Sequence, residues 1–210
     1  MMTNKQSVVR LSRYKNSLNR LKSLGFVKVF SDNIADAVGV TSSQVRKDFS
    51  LFGIAGNKRG GYNIDEILER LSSILGTSEV QNVILVGAGH LGSSLIKYKG
   101  FEKAGIKIAA AFDINPSLAA PAAAVPILPL DSLGDFVAEH QTRIGIIAVP
   151  DTAAQQVLEL MTAAGIRGVL NFAPIRLRGS SDCVINYVNV ESEMENLIYF
   201  VNVLKHEQPE

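Results

Sequence analysis

The sequence has no tryptophan, a single cysteine and no long run of apolar residues. One cysteine cannot form an internal disulfide, so we expect the chain to work in the reducing cytoplasm. The apolar runs reach the length of a β-strand and fall short of the roughly 18–20 residues that cross a bilayer, and residues 1–10 lack the apolar segment of a secretion signal. The thiol of Cys183 stands outside any motif and is interpreted as structural.

Acidic residues are scarce in the first 61 positions, where eleven lysines and arginines face three aspartates and give a net charge of +8. The remaining 149 residues carry a net charge of −7. A concentrated positive block indicates an anionic polymer as partner. The chain has only three histidines, His90, His140 and His206, and none stands in a plausible acid–base or metal-ligating group, so neither catalysis nor a metal site is predicted.

Helices are predicted throughout the basic block. The apolar residues of 8–24 share one helical face, and Gly25 is a suitable stop for that helix. Ser31 or Asp32 can cap a second helix, which ends before a tight turn at Gly39. The basic block is therefore expected to be a small helical domain.

The third helix of this block has the features of a DNA-reading helix. Thr41 and Gln44 match a capping box at its start. Ala35, Gly39 and Val45 have the spacing of a helix-turn-helix, with a small residue at the helix contact, glycine in the turn and a β-branched residue in the core. Its outward side chains are polar or cationic and suit base edges and phosphates. They are Ser42, Ser43, Gln44, Arg46 and Lys47.

Glycines flank two cations in 56–61, which predicts a β-hairpin wing with Lys58 and Arg59 at its tip. A three-helix bundle with a solvated basic face is the alternative. A fourth amphipathic helix over 64–75 ends at Gly76, and the polar residues that follow place a domain boundary at 78/79.

A glycine-rich turn lies between two predicted strands in the second half. A buried strand at 83–86 leads into Gly87-Ala88-Gly89-His90-Leu91-Gly92, and a helix at 93–98 and a strand at 107–112 precede Asp113. This order is typical of a dinucleotide-binding unit, in which helix N–H groups face the pyrophosphate. Asp113 would accept hydrogen bonds from ribose hydroxyls and repel a 2′-phosphate, which favours NAD(H). A strand-to-helix turn that binds nothing is the alternative.

Strands and helices alternate beyond Asp113, as in an α/β domain. The prediction comprises a loop at 119–129, helices at 130–140, 152–164 and 191–205, and strands at 144–149, 168–170 and 184–190. Pro150 and Asn171 follow two of these strands at the edge where doubly wound sheets bind ligands. Asn171 could hydrogen-bond a carboxamide or serve as a turn residue. The last helix has an apolar stripe without an obvious cover, so we expect exchange across a dimer.

These segments resemble the redox-sensing transcriptional repressor family Rex over nearly the whole chain. The most specific motifs are Ser43-Gln44-Val45-Arg46-Lys47-Asp48 and Asn171-Phe172-Ala173-Pro174. The others are 11–14, 34–40, 52–53, 60–62, 87–92, Tyr98, 112–113, 148–150, 165–170 and 197–200.

The resemblance implies an α/β protein with an N-terminal winged helix-turn-helix domain at 1–78 and a Rossmann-type doubly wound parallel sheet at 79–190. A C-terminal helix and tail at 191–210 would be swapped within a homodimer. It also implies a repressor that binds an inverted-repeat operator when NADH is scarce relative to NAD+ and leaves the DNA when NADH rises.

The family's site residues transfer to this chain by position. Those expected at DNA are Arg10, Arg13, Ser43, Gln44, Arg46, Lys47, Lys58 and Arg59. Those expected at NAD(H) are Gly87, Ala88, Gly89, His90, Leu91, Gly92, Asp113, Val149, Pro150, Asn171 and Pro174. Tyr98 and position 189 are expected in the switch. The family commonly has an aspartate at 189, whereas Asn189 here cannot make the same charge-assisted contact.

Two other functions are open to a chain with this composition. An NAD-dependent oxidoreductase would need a substrate domain and an acid–base group, and the sequence suggests neither. A CoA- or nucleotide-binding module related to ligase subunits would leave the basic N-terminal block unexplained.

Overall fold

The computed structural model describes residues 5–56, 60–115 and 125–206. The chain divides into two compact units, Met1–Val80 and Gln81–Glu210. The predicted boundary at 78/79 lies two residues before this division. The further separation of 191–210 as a dimerisation segment stays a prediction.

The first unit is helical and contains one short two-stranded sheet. Its helices are α1 (Lys5–Ser23), α2 (Ser31–Val38), α3 (Ser42–Leu51) and α4 (Ile64–Ile74). The strands β1 (Lys28–Val29) and β2 (Tyr62–Asn63) pair in antiparallel fashion. One apolar core joins all four helices, and its fully buried side chains include Leu11, Leu18, Ile34, Phe49 and Leu71.

The helix-turn-helix prediction is confirmed in α2 and α3. Ala35 and Val45 are buried in the core of the unit. Gly39 has a φ of +75°, the left-handed conformation that glycine adopts without a steric cost. The Gly39 N–H donates to the Ala35 carbonyl at 2.9 Å, which closes α2 before the chain turns into α3.

The caps of these helices differ from the prediction. Neither Ser31 nor Asp32 caps α2, because Ser31 is already its first residue and Phe30 precedes it. The backbone N–H of Phe30 donates to Asn33 Oδ1 at 2.9 Å. At α3 only half of the capping box forms. Thr41 Oγ1 accepts from the Gln44 N–H at 3.2 Å, while the Gln44 side chain is turned to Asp48.

The wing prediction is corrected in its strand pairing. β2 follows the glycine-flanked segment, but its partner is β1, which comes before α2 in the chain. A two-residue strand carries no periodicity, so β1 could not be recognised from the sequence. The predicted wing tip, Lys58 and Arg59, lies outside the described residues.

The second unit is built on a parallel sheet. Its strands are β3 (Gln81–Val86), β4 (Ile106–Asp113), β5 (Ile127–Pro129), β6 (Ile144–Ile147), β7 (Gly168–Asn171) and β8 (Val184–Tyr187). They lie in the order β5-β4-β3-β6-β7-β8, and every neighbouring pair is parallel. This is the strand order of a doubly wound Rossmann sheet, in which the direction of winding reverses between β3 and β6.

Helices and turns connect these strands and cover both faces of the sheet. They are α5 (His90–Ile96), α6 (Gly100–Lys103), α7 (Leu133–His140, after a 3-10 turn at Leu130–Ser132) and α8 (Asp151–Ala163), and α9 (Val190–His206) follows the last strand. Ile84 and Val86 point to the core that contains α7 and α8. Val83 and Leu85 point to the opposite core, which Leu95 of α5 joins. Burial on both faces explains the continuous apolar runs of these strands.

Several boundaries in this unit depart from the prediction. The helix after the glycine-rich turn begins at His90 rather than residue 93 and ends at Ile96, so Tyr98 lies between α5 and α6. The predicted loop at 119–129 contains β5, while 119–124 lies outside the described residues. The strand predicted to reach 190 stops at Tyr187, because Asn189 Oδ1 accepts from the Ser192 N–H at 3.0 Å and starts α9.

The apolar stripe of α9 is exposed within the single chain. Met194, Leu197 and Ile198 each expose more than half of their surface. The expected exchange of this helix between subunits stays a prediction. Among the described helices, none combines the length and apolar character needed to cross a membrane.

Candidate nucleic-acid interface and dinucleotide site

The outer surface of α3 carries the predicted DNA-reading side chains. Ser43, Arg46 and Lys47 are exposed, and Gln44 is half-buried. Arg46 Nη1 donates to Ser31 Oγ at 2.9 Å, which ties this guanidinium to the first helix of the motif. Arg13 is exposed on α1. α3 therefore presents two cations and a short polar group, and Arg13 adds an exposed cation on α1.

A buried carboxylate, Asp48, lies beneath this surface and is only 2% exposed. Arg10 donates to both of its oxygens, from Nε to Oδ2 at 2.6 Å and from Nη2 to Oδ1 at 2.7 Å. The Tyr14 hydroxyl donates to Oδ2 at 2.8 Å, and Gln44 Nε2 donates to Oδ1 at 2.9 Å. We call these four side chains the Asp48 cluster. It joins α1 to α3.

Electrostatics in the Asp48 cluster favour an ionised carboxylate. Burial alone would raise the pKa of Asp48, but the hydrogen bonds from Arg10, Tyr14 and Gln44 outweigh it and hold that pKa below its ordinary value. The hydrogen bond to Asp48 raises the pKa of Arg10. Burial, followed by the hydrogen bond to Asp48, raises the pKa of Tyr14 to about 12. The cluster therefore holds one negative and one positive charge and a neutral phenol.

The hydrogen bonds of the Asp48 cluster limit the contacts that Arg10 and Gln44 can make to DNA. Two of the Arg10 guanidinium nitrogens are engaged with Asp48, and a third bond from Nη2 reaches Ser7 Oγ at 3.1 Å. Arg10 is thus fixed inside the unit rather than extended toward a phosphate. Gln44 keeps its Oε1 and one N–H beyond the bond to Asp48.

The three glycines of the glycine-rich turn have different structural roles. Gly87 has a φ of +99°, and a Cβ there would lie 2.6 Å from the Ala148 carbonyl oxygen. A Cβ on Gly92 would collide with the Gly87 carbonyl oxygen, so this glycine lets α5 approach β3 closely. A Cβ on Gly89 would meet no protein atom within 4 Å. Gly89 is thus the one of the three that leaves space for a ligand rather than for the fold.

Asp113, at the end of β4, is bound to the same turn. Its Oδ2 accepts from the Ala88 N–H at 2.7 Å, and its Oδ1 accepts from the Asn115 N–H at 2.9 Å. An ionised carboxylate offers about four acceptor positions, so two backbone bonds leave capacity for ribose hydroxyls. The carboxylate therefore holds the turn and still faces the site.

A cleft of about 320 Å³ opens at the carboxyl ends of β3, β4 and β6, the switch point of the sheet. Five of the predicted cofactor residues line it: Gly87, Gly89, Asp113, Val149 and Pro150. His90, Leu91 and Gly92 form the first turn of α5, next to the glycine-rich turn. The open turn at Gly89 and the N–H groups at the start of α5 fit the pyrophosphate of a dinucleotide. The carboxylate of Asp113 at the end of the next strand fits the ribose of its adenosine.

Asn171 and Pro174 do not line this cleft. Asn171 is fully buried, and its Nδ2 donates to the carbonyls of Ala173 at 3.0 Å and Ile175 at 3.2 Å. Its Oδ1 accepts from the Ala173 N–H at 3.0 Å. The side chain thus shapes the turn after β7, the second of the two roles that the sequence left open. Pro174 lines a separate depression together with Asn189.

The two predicted switch residues lie in different parts of the second unit, Tyr98 between α5 and α6 and Asn189 directly before α9. Tyr98 is 59% exposed, and its ring packs edge-on against Phe101 with centroids 5.3 Å apart. Asn189 caps α9 through Ser192. Aspartate caps a helix as well as asparagine does, so an asparagine at this position keeps the cap and loses only the charge.

Sequence reasoning missed Asp48 and Ile114 as site residues. Asp48 is the only acidic residue in a run of polar and cationic residues on α3, and this isolation was its signal. Ile114 directly follows Asp113 at the end of β4, lines the cleft and is 89% exposed. An apolar side chain this exposed beside Asp113 suits the flat face of a base.

Among the described residues, no group of three or more His, Cys, Asp or Glu side chains could hold a metal ion.

Two family models match the two units. A model described as "Putative DNA-binding protein N-terminus" matches residues 5–50, and one described as "CoA binding domain" matches residues 78–175. The first model covers α1, α2 and nearly all of α3, and the second covers the glycine-rich turn and the cleft.

Curated relatives decide the family. The chain is 40% identical over 194 residues to the redox-sensing transcriptional repressor Rex of Desulforamulus reducens, covering 92% of each chain. The chain belongs to the Rex family. It is also 39% identical to Rex of Carboxydothermus hydrogenoformans over 92% of this chain and 93% of the relative.

Solved Rex-family structures have the same fold over the whole length. The Rex-family repressor RSP, in complex with β-NAD+ and operator DNA, matches with a TM-score of 0.88 and 31% identity, covering 100% of each chain. RSP in complex with β-NADH matches with a TM-score of 0.85 and 32% identity, covering 98% of this chain and 97% of RSP. The predicted fold class, a helix-turn-helix domain followed by a Rossmann-type sheet, is confirmed.

Proposed function

We propose that this chain is a transcriptional repressor that senses the balance of NADH and NAD+. It binds an inverted-repeat operator as a homodimer in the cytoplasm, and NADH releases it from the DNA. One observation carries the proposal: a single chain contains both a cationic α3, capped by Thr41, and a cleft lined by the glycine-rich turn and Asp113.

The DNA contacts are assigned to the exposed surface of the first unit. Lys47 of α3 and Arg13 of α1 are exposed and can meet phosphates or base edges, and Ser43 is the short polar group near the start of α3. Arg46 is also exposed and keeps N–H groups for DNA beyond the bond from its Nη1 to Ser31. Recognition helices of this motif read bases from their N-terminal residues, which favours Ser43 and Gln44 for the groove. Arg10 is reassigned from phosphate contact to support of α3.

The dinucleotide contacts are assigned to the cleft of the second unit. Gly89 and the first turn of α5 would hold the pyrophosphate, and Asp113 would hold the ribose. Ala88, predicted at the cofactor, would act through its bond to Asp113, and Val149 and Pro150 would form the wall toward the nicotinamide. NADH and NAD+ differ in charge at the nicotinamide ring. A ligand shifts a two-state equilibrium only by the difference of its affinities for the two states, so the sensor requires an arrangement that prefers NADH.

A titration tests this function directly. Labelled palindromic duplexes are selected from random DNA by the purified protein, and binding is followed at fixed salt while NADH or NAD+ is added in parallel. NADH is expected to release the duplex at concentrations at which NAD+ does not. Equal DNA affinity in the two coenzymes would contradict the proposal.

The Arg46→Ala variant separates the two activities of the chain. We expect it to abolish operator binding, because a cation of the recognition helix is lost, and to leave NADH affinity unchanged, because Arg46 lies outside the cleft-bearing unit. Fluorescence titration with NADH and a gel shift on the same preparation measure both. Glu69→Ala on α4 removes an exposed charge from the same unit and serves as a control with unchanged DNA affinity.

A CoA-binding module is the second candidate, because the family model that covers the cleft carries that description. The two ligands differ in the phosphate on the adenosine ribose, which CoA carries and NAD(H) lacks. Calorimetric titration with CoA and NADH distinguishes them, and tighter binding of CoA would favour the module. Steady oxidation of NADH in the presence of a small carbonyl compound would instead support the oxidoreductase alternative.

A further inference from the structure

The Asp48 cluster lies under the part of α3 that reads bases in proteins of this kind. Resting on the proposed function, we infer that Asp48 sets the orientation of the Gln44 side-chain amide and so determines which base Gln44 selects. Asp48 acts through Gln44 and is therefore a positioning residue. Arg10 and Tyr14 keep it ionised and in place.

The orientation follows from the chemistry of the two partners. An ionised carboxylate can only accept hydrogen bonds, so Gln44 has to offer its NH₂ end to Asp48 Oδ1, 2.9 Å away. The bonds from Arg10 and Tyr14 favour that ionised form. The Oε1 atom of Gln44 is consequently turned away from Asp48, together with the remaining N–H.

The presented pair, one acceptor and one donor, complements adenine. In the major groove adenine offers the N6 amino donor and the N7 acceptor, whereas guanine offers two acceptors, O6 and N7. A freely rotating glutamine amide could turn its NH₂ end to guanine. Because Asp48 blocks this rotation, Gln44 is expected to select A over G at one base pair of each half-site, by about tenfold.

The first experiment uses a duplex that the full-length protein selects from random DNA. Every A·T pair of one half-site is changed to G·C in turn, and the dissociation constants are measured at one salt concentration for the unmodified protein and for Asp48→Asn. An asparagine has one acceptor oxygen instead of two for the donors of Arg10, Tyr14 and Gln44, so it holds the Gln44 amide less firmly and lets it turn. The roughly tenfold preference should vanish at one position, and the preferences at the other positions should persist.

Matched variants distinguish a changed orientation of the Gln44 amide from a general loss of stability of the first unit. Tyr14→Phe removes one hydrogen bond from Asp48 but leaves Arg10 and Gln44 on it, so the thermal midpoint should fall while the base preference stays. Asp65→Asn removes an exposed ion pair with Lys22 and should change neither the thermal midpoint nor the base preference. Gln44→Met should lose the preference at the same position as Asp48→Asn. The inference is overturned if Asp48→Asn weakens all duplexes by one common factor, if Tyr14→Phe shifts the preference equally, or if Gln44→Met acts elsewhere.

A measurement on the unmodified protein covers the case in which Asp48→Asn does not fold. In ¹⁵N spectra, one side-chain amide proton of Gln44 should exchange slowly with solvent and the other rapidly; equal rates would overturn the inference. Failure of the proposed function has a different signature. In that case the protein selects no duplex, or NADH does not release the selected duplex. If NADH does release the duplex but Asp48→Asn keeps the base preference, only the role of Asp48 is refuted.

Discussion

Asp113 joins a structural and a ligand-binding role in one carboxylate. Its two oxygens hold the Ala88 and Asn115 backbone N–H groups, and their remaining acceptor positions face the cleft. A substitution at this residue therefore removes a ligand contact and loosens the glycine-rich turn at once. The two effects can be separated because asparagine keeps one acceptor oxygen.

We expect Asp113→Ala to weaken NADH binding by about 1–3 kcal/mol, the range for a lost hydrogen bond to a charged group. Asp113→Asn should weaken it less, because its amide oxygen can still accept from Ala88. NADPH, which the charge of Asp113 repels, should gain relative affinity in both variants. Fluorescence titrations of the two coenzymes measure these changes, with Asp135→Ala on the exposed side of α7 as control. Equal NADH and NADPH affinity in the unmodified protein would refute the role of Asp113.

Tyr14 makes the stability of the first unit sensitive to alkaline pH. Its pKa in the folded chain is about 12, raised by burial and then by the hydrogen bond to Asp48, against an ordinary value of 10. The folded state holds the phenol proton more tightly than the unfolded state does. The resulting stabilisation is complete below pH 10 and is lost as the pH rises toward 12.

Comparison of the unmodified protein with Tyr14→Phe tests this pH dependence. Below pH 10 the variant should be less stable, because the buried carboxylate of Asp48 loses one donor. The difference in the free energy of unfolding should shrink as the pH rises from 10 to 12. Urea denaturation followed by circular dichroism at several pH values measures it, and a constant difference across that range would contradict the assignment.

At the scale of elements, long periodic or glycine-marked segments were predictable and short ones were not. The helix-turn-helix spacing and the G-x-G-x-x-G turn specify local backbone geometry, so the sequence places them correctly. β1 and β5 have two or three residues and exist only through partners distant in sequence. Asn171 shows the same limit at the site, since its partners are backbone carbonyls that no side-chain pattern reveals.

The start of α3 depends on a single side-chain cap. Thr41 Oγ1 accepts from the Gln44 N–H and contacts Ser43 Oγ at 2.9 Å. We expect Thr41→Ala to lower the stability of the first unit by about 0.5–2 kcal/mol, because one backbone donor loses its partner. Thr41→Ser keeps the hydroxyl and should retain most of that stability.

Urea denaturation followed by circular dichroism measures the effect of Thr41→Ala, and NADH binding reports separately that the second unit remains folded. DNA affinity should fall with the cap, since the residues after Thr41 carry the proposed contacts. A Thr41→Ala protein with unchanged stability and DNA affinity would show that α3 is held by its buried face alone.

At the scale of the whole molecule, α9 bears a stripe of exposed apolar side chains. Val190, Met194, Leu197, Ile198 and Val201 lie on one side of the helix and are exposed in the single chain. Exposed patches of this kind mark association surfaces. A second copy is the expected occupant, because an inverted-repeat operator requires two recognition helices about 34–36 Å apart.

Leu197→Glu places a charge in the middle of this stripe and should convert the dimer to a monomer in sedimentation experiments. Operator affinity should fall more than 100-fold, because a single recognition helix covers only one half-site, while the affinity for a single half-site should change little. Ser192→Glu adds the same charge on the opposite side of α9 and should leave the dimer intact. If Leu197→Glu remains dimeric and binds the full operator normally, then α9 does not hold the subunits together, and the spacing of the two recognition helices has to be set by another surface of the chain.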